Sequence, residues 1–230
     1  MKILNKRVKG FTLLETIITL TIMVVVLAVV SSVFINSRKL MVKTELKSQL
    51  QEEGEKFQKT IVTYGTQAIS VQIKAGDYTD TSSWTFDDYI GKSNEGTGYL
   101  TISNICFGLY PGVNGDTNVT VGDDEYLICN IGLESVSEGK QMFTKRVVKC
   151  DLATPTNMNN ISTSNMDNLK EVTVIPLNWQ ELCNKRTKDD SDFTLSNEIT
   201  GLKVTGKFKK KQGNIEVEYE VSSFVKFRNK

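Results

Sequence analysis

The start of the chain limits its fold most strongly, because a basic segment there precedes a long apolar run. The first ten residues contain no acid and four cations, which are Lys2, Lys6, Arg7 and Lys9. Residues 11–35 are apolar apart from Thr, Ser and one charged residue, Glu15. About 20 apolar residues in a helix span the roughly 30 Å hydrocarbon layer of a membrane. The sequence therefore predicts a membrane-spanning helix whose basic flank stays in the cytoplasm.

The junction of the two segments, Gly10-Phe11-Thr12-Leu13-Leu14-Glu15, differs from that of an ordinary secretory signal. A secretory signal has a shorter apolar core and places its small residues and cleavage site after that core. Here the small residue Gly10 precedes the core, and the core is too long. The basic leader, the Gly-Phe junction, the nearby glutamate and the uninterrupted apolar helix together closely resemble the class III leader of type IV pilins and pseudopilins.

The resemblance implies how the chain is processed. A prepilin peptidase would cut between Gly10 and Phe11 on the cytoplasmic side of the membrane. Phe11 would then become the N-methylated first residue of the mature chain. The resemblance covers only the N-terminal part of the sequence, and nothing comparably diagnostic follows it.

Glu15 is predicted to act in subunit assembly. A carboxylate near one end of a membrane helix costs on the order of a few kcal/mol and is usually kept for a partner or a function. In a low-dielectric helix bundle, Glu15 of one subunit and the α-amine of Phe11 on the next would attract each other. This contact would set the axial register of the subunits. The alternative is a simple signal-anchor helix, in which Glu15 lies close to the interface and stays hydrated.

The helical pattern continues beyond the apolar run. Apolar residues recur at helical spacing among charged ones, at Leu46, Leu50, Phe57, Ile61 and Tyr64. Because no proline occurs between Met1 and Tyr64, we predict one continuous helix. Gly54 destabilises a helix by up to about 1 kcal/mol relative to Ala, and it predicts a bend.

The head that follows is predicted to be β-rich. Alternating apolar and polar residues predict strands at 69–73, 100–105, 126–131 and 172–175. Segments rich in Gly, Asn, Asp, Ser or Thr predict loops at 91–98, 112–124 and 154–168. The clearest local structure is a C-terminal hairpin, with strands at 202–208 and 215–221, a turn at 209–214, and Lys opposite Glu on the solvated side.

The predicted fold class is α+β, with a long N-terminal helix packed against a β-rich head that contains an antiparallel sheet. Residues 1–10 form the leader and residues 11–36 the membrane-spanning or filament-core helix. Residues 37–66 form an amphipathic helix that continues the first. Residues 67–230 form the exported head, which has enough chain for a single hydrophobic core.

Four cysteines fall in the exported head, at Cys106, Cys129, Cys150 and Cys183. An even number in an exported domain favours disulfides, and the sequence cannot choose among the three pairings. Buried thiols are the first alternative. A zinc site with four thiolates is the second, although the spacings lack the usual C-x-x-C pairs.

The charged segments of the head carry weaker predictions. The lysines at 207–211 suggest a patch for DNA or an anionic surface. A solvated hairpin tip opposite a Glu-rich strand is the favoured interpretation, because the run is short and has no interleaved aromatics.

Oxygen-rich loops at 114–118 and 122–125 suggest a calcium site. Because they lack EF-hand spacing, they are interpreted as polar turns, and 189–192 is a weaker candidate. Loss of the four leader cations changes the net charge from +1 to −3, which gives no general reason to expect nucleic-acid binding.

The sequence contains no motif that supports enzymatic activity. The chain has no histidine, which excludes every mechanism that needs imidazole as an acid, base or metal ligand. It also lacks a G-x-S-x-G nucleophile motif and a phosphate-binding glycine loop. We therefore predict no enzymatic activity, no cofactor and no metal.

By its resemblance, the chain is expected to be a structural subunit, a minor pilin or pseudopilin, of a type IV pilus or a related secretion or competence filament. The expected partners are the prepilin peptidase, other pilin subunits through the N-terminal helix, the cytoplasmic membrane and the pilus assembly machinery. A surface ligand or DNA is only weakly indicated. The chain is expected to cross the cytoplasmic membrane once and then to join an extracellular filament, with a role in initiation, adhesion or the tip. The alternative is a signal-anchored surface protein or enzyme with a β-rich exported domain.

Overall fold

The computed structural model describes residues 12–75, 84–93, 97–109, 125–136, 140–151, 159–186 and 198–227. The helices are α1 (Leu13–Gln67), α2 (Phe86–Lys92) and α3 (Trp179–Arg186). The strands are β1 (Ala68–Lys74), β2 (Leu100–Ile102), β3 (Asn104–Leu109), β4 (Glu125–Val136), β5 (Lys140–Asp151), β6 (Asn159–Met166), β7 (Leu169–Pro176), β8 (Gly201–Gln212) and β9 (Ile215–Lys226). The chain forms two compact units, Met1–Glu45 and Leu46–Lys230, so the boundary between them falls inside α1.

Helix α1 confirms the predicted long helix. In the first unit, every described side chain from residue 12 to residue 45 is exposed except Val42, which is half-buried. In the second unit, four of the five apolar side chains that recur at helical spacing are buried, namely Leu46, Leu50, Phe57 and Ile61, and the fifth, Tyr64, is half-buried. One face of the helix therefore belongs to the hydrophobic core of the second unit, since burial of apolar surface is the main force that holds such a face in place.

The strands form two antiparallel sheets, which confirms the α+β class. The first sheet has five strands in the order β1-β3-β4-β5-β6, and the second has four in the order β2-β7-β8-β9. On one face of the second sheet, buried apolar side chains lie at alternate positions of β7 and β8, at Val172, Val174, Leu202, Val204 and Phe208. This alternation is the period-2 pattern of a sheet with one face on the core and one in solvent.

Two glycines let α1 approach the sheets closely. A Cβ on Gly65 would lie 2.5 Å from Val225 Cγ1 in β9 and 3.3 Å from Phe107 Cζ in β3, so this turn of the helix touches both sheets. A Cβ on Gly54 would lie 2.7 Å from Tyr219 Cε1. Gly54 thus sits within an uninterrupted helix at a point where the chain has no room for a side chain.

The predicted strand at 100–105 is wrong, because the chain changes sheets at Ser103. Strand β2 pairs with β7 in the second sheet, whereas β3 pairs with β1 and β4 in the first. Ser103 forms the bend, and its N–H and its hydroxyl both donate to Lys74 O, at 2.7 and 3.0 Å. The buried positions also change phase here, from Leu100 and Ile102 to Ile105 and Phe107, and this phase change was the available sequence signal.

The predicted loop at 154–168 is also wrong in part, since residues 159–166 form β6 at the edge of the first sheet. An edge strand pairs on one side only, so a polar sequence is tolerated there. Strand β5 was not predicted. The predicted loop at 91–98 is also wrong at its start, because α2 continues to Lys92. The predicted loop at 112–124 lies outside the described residues.

The C-terminal hairpin is confirmed, but its turn is shorter than predicted. Strand β8 continues to Gln212, and only Gly213 and Asn214 form the turn, with Gly213 at a φ of 59°. Two-residue hairpin turns need positive φ, which Gly adopts without steric cost. The register places lysines opposite glutamates as predicted, in the pairs Lys207–Glu220, Lys209–Glu218 and Lys211–Glu216.

A cluster of aromatic side chains packs between α2 and α3. The ring of Tyr89 lies 5.3 Å from that of Trp179 and 6.3 Å from that of Trp84, measured between centroids. The Tyr89 hydroxyl donates to Gly98 O at 2.7 Å and also lies 3.4 Å from Val174 O. Burial raises the pKa of this hydroxyl, because the ionised phenolate would lose its hydration.

Tyr89 is expected to make the second unit sensitive to alkaline pH. Its pKa is higher in the folded than in the unfolded chain, so its stabilising effect is complete below the unfolded pKa of about 10 and is lost as pH rises above that value. Urea unfolding of the full chain in detergent, followed from pH 8 to pH 11, should show a steeper loss of unfolding free energy for the wild type than for Tyr89→Phe. Identical slopes for the two proteins would contradict this assignment.

Candidate functional site

The first turn of α1 is closed by a reciprocal pair of hydrogen bonds. Thr12 immediately precedes the helix, and its hydroxyl oxygen accepts from Glu15 N at 3.3 Å. Glu15 Oε2 in turn accepts a long bond from Thr12 N at 3.5 Å. This arrangement is a capping box, in which a Thr and a Glu three residues apart satisfy backbone donors that the helix leaves unpaired. The pattern Thr-x-x-Glu was visible in the sequence, but the capping role was not predicted.

Glu15 is the only charged residue between positions 12 and 37. It lies in the first turn of α1, where the partial positive charge of the helix N-terminus favours a carboxylate. Its side chain is exposed and has no cation within ion-pair distance among the described residues. Among the described residues Glu15 therefore has a backbone hydrogen bond but no counter-charge. Gly10 and Phe11, the predicted cleavage and methylation residues, lie outside the described residues.

The apolar segment after Glu15 is suited to a nonpolar environment. Three of the hydroxyl groups that interrupt it donate to backbone carbonyls of the helix: Thr19 to Glu15 O at 2.7 Å, Thr21 to Ile17 O at 2.8 Å and Ser32 to Val29 O at 2.9 Å. Such bonds remove the cost of placing a hydroxyl where no water is present. Within the described part of the chain, α1 is the one helix long and apolar enough to cross a membrane, with a mean hydropathy of 2.8 in its most apolar window.

The first cation beyond the apolar segment is Arg38. Its guanidinium carbon lies 5.6 Å from the centroid of the Phe34 ring, one helical turn earlier. An arginine in this position can keep its alkyl stem on apolar surface while its charge reaches water. Glu15 and Arg38 therefore bracket the segment.

The four predicted disulfide cysteines are only partly described. Cys106 is half-buried, and its Sγ donates to Asn104 Oδ1 at 3.1 Å; Cys183, also half-buried, lies in α3. No disulfide joins these two side chains. The backbone register places Cys129 opposite Phe107 and Cys150 opposite Tyr126. Disulfide formation stays a prediction.

The other predicted binding segments differ in what the structure describes. Residues 114–118, 122–124 and 189–192, which carry most of the acidic candidates, lie outside the described ranges. Where side chains are described, no three His, Cys, Asp or Glu residues are grouped so that they could hold a metal ion.

Two of the five lysines of β8 form ion pairs with acids. Lys207 Nζ lies 3.1 Å from Glu171 Oε1, and Lys209 pairs with both Glu216 and Glu218. These bonds raise the pKa of both lysines, because the neighbouring carboxylates stabilise the charged form. This pairing favours the interpretation of the segment as a solvated hairpin.

A comparison with protein families matches residues 5–31 to the prokaryotic N-terminal methylation motif. The match includes the Gly10-Phe11 junction, the capping pair Thr12 and Glu15, and most of the apolar segment. The N-terminus is thus a type IV pilin leader followed by a long apolar helix. Comparisons with curated proteins and with solved structures found no match. The motif points to a structural protein rather than an enzyme, and to membrane anchoring followed by assembly into a pilus.

Proposed function

We propose that the chain is a minor pilin or pseudopilin, a structural subunit of a type IV pilus or of a related secretion or competence filament. The methylation motif at residues 5–31 is the observation that carries this proposal. The continuous helix α1 supports it, because one helix provides both a membrane-sized apolar segment and a face buried in the core of the β-rich unit. The long, irregular head favours a minor subunit over one that repeats along the whole filament.

The exposed apolar part of α1 supports assembly directly from the membrane. In the first unit, large apolar side chains such as Leu20, Val26 and Phe34 are more than half exposed. In water this surface would be strongly unfavourable, since the cost grows with apolar area. Lipid covers it while the subunit crosses the cytoplasmic membrane once, and neighbouring helices cover it in the extracellular filament. Transfer between these two environments exposes little apolar surface to water.

Glu15 provides specificity in this transfer. After the prepilin peptidase cuts behind Gly10, the α-amine of Phe11 lies four residues before the carboxylate. Helix packing in lipid has no hydrophobic driving force, so a polar pair contributes much of the selectivity. Glu15 of one subunit pairs with the amine of the next, and this contact sets the axial register.

The first test is the intact mass, with N-terminal fragmentation, of native protein from membranes and from sheared surface material. We expect a chain that begins at Phe11 and carries one added methyl group, in both fractions. A chain that still begins at Met1, or one cut beyond the apolar segment near Ser31, would overturn the pilin proposal. That outcome would instead favour a signal-anchored or secreted β-rich protein.

A further inference from the structure

A groove of about 350 Å³ lies between α1 and β5 in the second unit. Its lining consists of three lysines, two threonines and one tyrosine, which are Lys56, Lys59, Lys145, Thr60, Thr63 and Tyr64. The α1 members are spaced three, one, three and one residues apart, so they share one face of the helix. Among the described residues that line the groove, none is acidic. A volume above about 300 Å³ is in the range of pockets that hold small ligands.

The positive charges of the groove lysines are only partly balanced by carboxylates. Lys56 Nζ pairs with Glu52 Oε1 at 2.7 Å, and that carboxylate is largely exposed. Lys59 makes no ion pair among the described residues, although Glu55 lies one turn before it. Lys145 Nζ lies 5.9 Å from the centroid of the Tyr64 ring and forms no ion pair with a described residue.

The sheet register places no acidic residue directly opposite Lys145. On its two sides, β5 places Lys145 opposite Ile131 of β4 and Ser164 of β6. In the hairpin of β8 and β9, by contrast, each of the lysines at 207, 209 and 211 lies opposite a glutamate. The larger cleft beside that hairpin, about 490 Å³, has three lysines and three glutamates in its lining. The two clefts therefore differ in net charge, and only the smaller one is cationic.

We propose that this groove, which we call the α1–β5 groove, binds a phosphate group. Ammonium groups that converge in a concave site without carboxylates create a positive potential that attracts anions. Phosphate suits several lysines at once, because its oxygens accept several charge-assisted hydrogen bonds in different directions. The Thr60 hydroxyl donates to Lys56 O at 2.8 Å. The hydrogen-bond donors for the phosphate are therefore Thr63 and the lysines. The phosphate comes either from a small phosphorylated molecule or from a polymeric phosphate.

The test uses the full chain in nonionic detergent, at low salt, with inorganic pyrophosphate as the probe in titration calorimetry. We expect saturable binding with one site per chain. Lys59→Gln and Lys145→Gln should each weaken binding about tenfold, because each removes one charge-assisted hydrogen bond. Lys211→Gln is the matched control: it removes the same charge from an exposed lysine outside the groove, and it should change affinity less than about twofold.

A second arm uses inorganic polyphosphate at equal phosphate concentration. Similar affinity per site for pyrophosphate and polyphosphate indicates a small molecule as the source, and much tighter binding of the polymer indicates a polyanion. In both cases the affinity must fall in the Lys59 and Lys145 variants, whose thermal unfolding should match that of the wild type. Absence of saturable binding, or equal weakening in Lys211→Gln, would overturn the proposal.

Discussion

Glu15→Gln is expected to leave the protein in the membrane but to reduce its recovery in sheared filaments at least about a hundredfold. The reason is that loss of one partner of a buried ion pair costs about 3–5 kcal/mol. Among the described residues Glu15 has no cation nearby, and its proposed partner is the α-amine of Phe11 on the next subunit. Immunoblots of membrane and sheared fractions, normalised to total protein, measure the ratio.

Glutamine is chosen because it separates the two roles of Glu15. A glutamine at this position can still close the capping box with Thr12, since Glu and Gln serve equally there. Glu15→Gln therefore removes the charge and keeps the helix cap. Thr12→Ala does the reverse, and its effect on filament yield should be small because a lost cap costs only about 1 kcal/mol. If Glu15→Gln assembled normally and Thr12→Ala did not, the capping box and not the ion pair would be the essential feature.

Phe57→Ala is expected to lower the unfolding free energy of the second unit by about 3–5 kcal/mol. Phe57 is completely buried, and its ring meets that of Phe208 edge-on at 5.9 Å between centroids. A Cβ on Gly206 would lie 3.0 Å from Phe57 Cε1, so the ring fills the space that this glycine leaves. Truncation leaves a cavity between α1 and β8 that the rigid sheet cannot close.

The measurement is urea unfolding of the full chain in detergent, followed by tryptophan fluorescence. Both tryptophans, Trp84 and Trp179, lie in the second unit, so the signal reports on that unit. Phe224→Ala is the matched control, because Phe224 is 62 % exposed and should change stability by less than about 0.5 kcal/mol. Equal effects of the two substitutions would mean that α1 contributes little to the core.

Local patterns allowed the sequence to predict much of the fold. The apolar run, the helical spacing from Leu46 to Ile61 and the alternation in the last hairpin are all set by residues close together in the chain. The same holds for the leader, whose features lie within one short segment. The errors fall where local pattern was weak or misleading: at Ser103, where one alternating run serves two sheets, and in β6, where polar residues form an edge strand.

The functional role of the N-terminal residues stays a prediction, and their geometry was not foreseen. The sequence identified Glu15 as an isolated charge, and the structure adds the capping box with Thr12. The α1–β5 groove was not predicted. Lys145 is more than 80 positions from Lys59 in sequence, and no local pattern relates them.

The sequence by itself determined the leader, the apolar segment, the amphipathic face of α1 and the pairing of lysines with glutamates in the hairpin. These depend on periodicity and on short-range spacing, which a single sequence contains. Only the tertiary structure decided that the strands divide into two sheets and that Gly54 and Gly65 mark close approaches of α1. It alone placed Lys145 in one groove with Lys56 and Lys59. The physical reason is that these features depend on contacts between residues far apart in the chain, and close packing, not local pattern, selects those contacts.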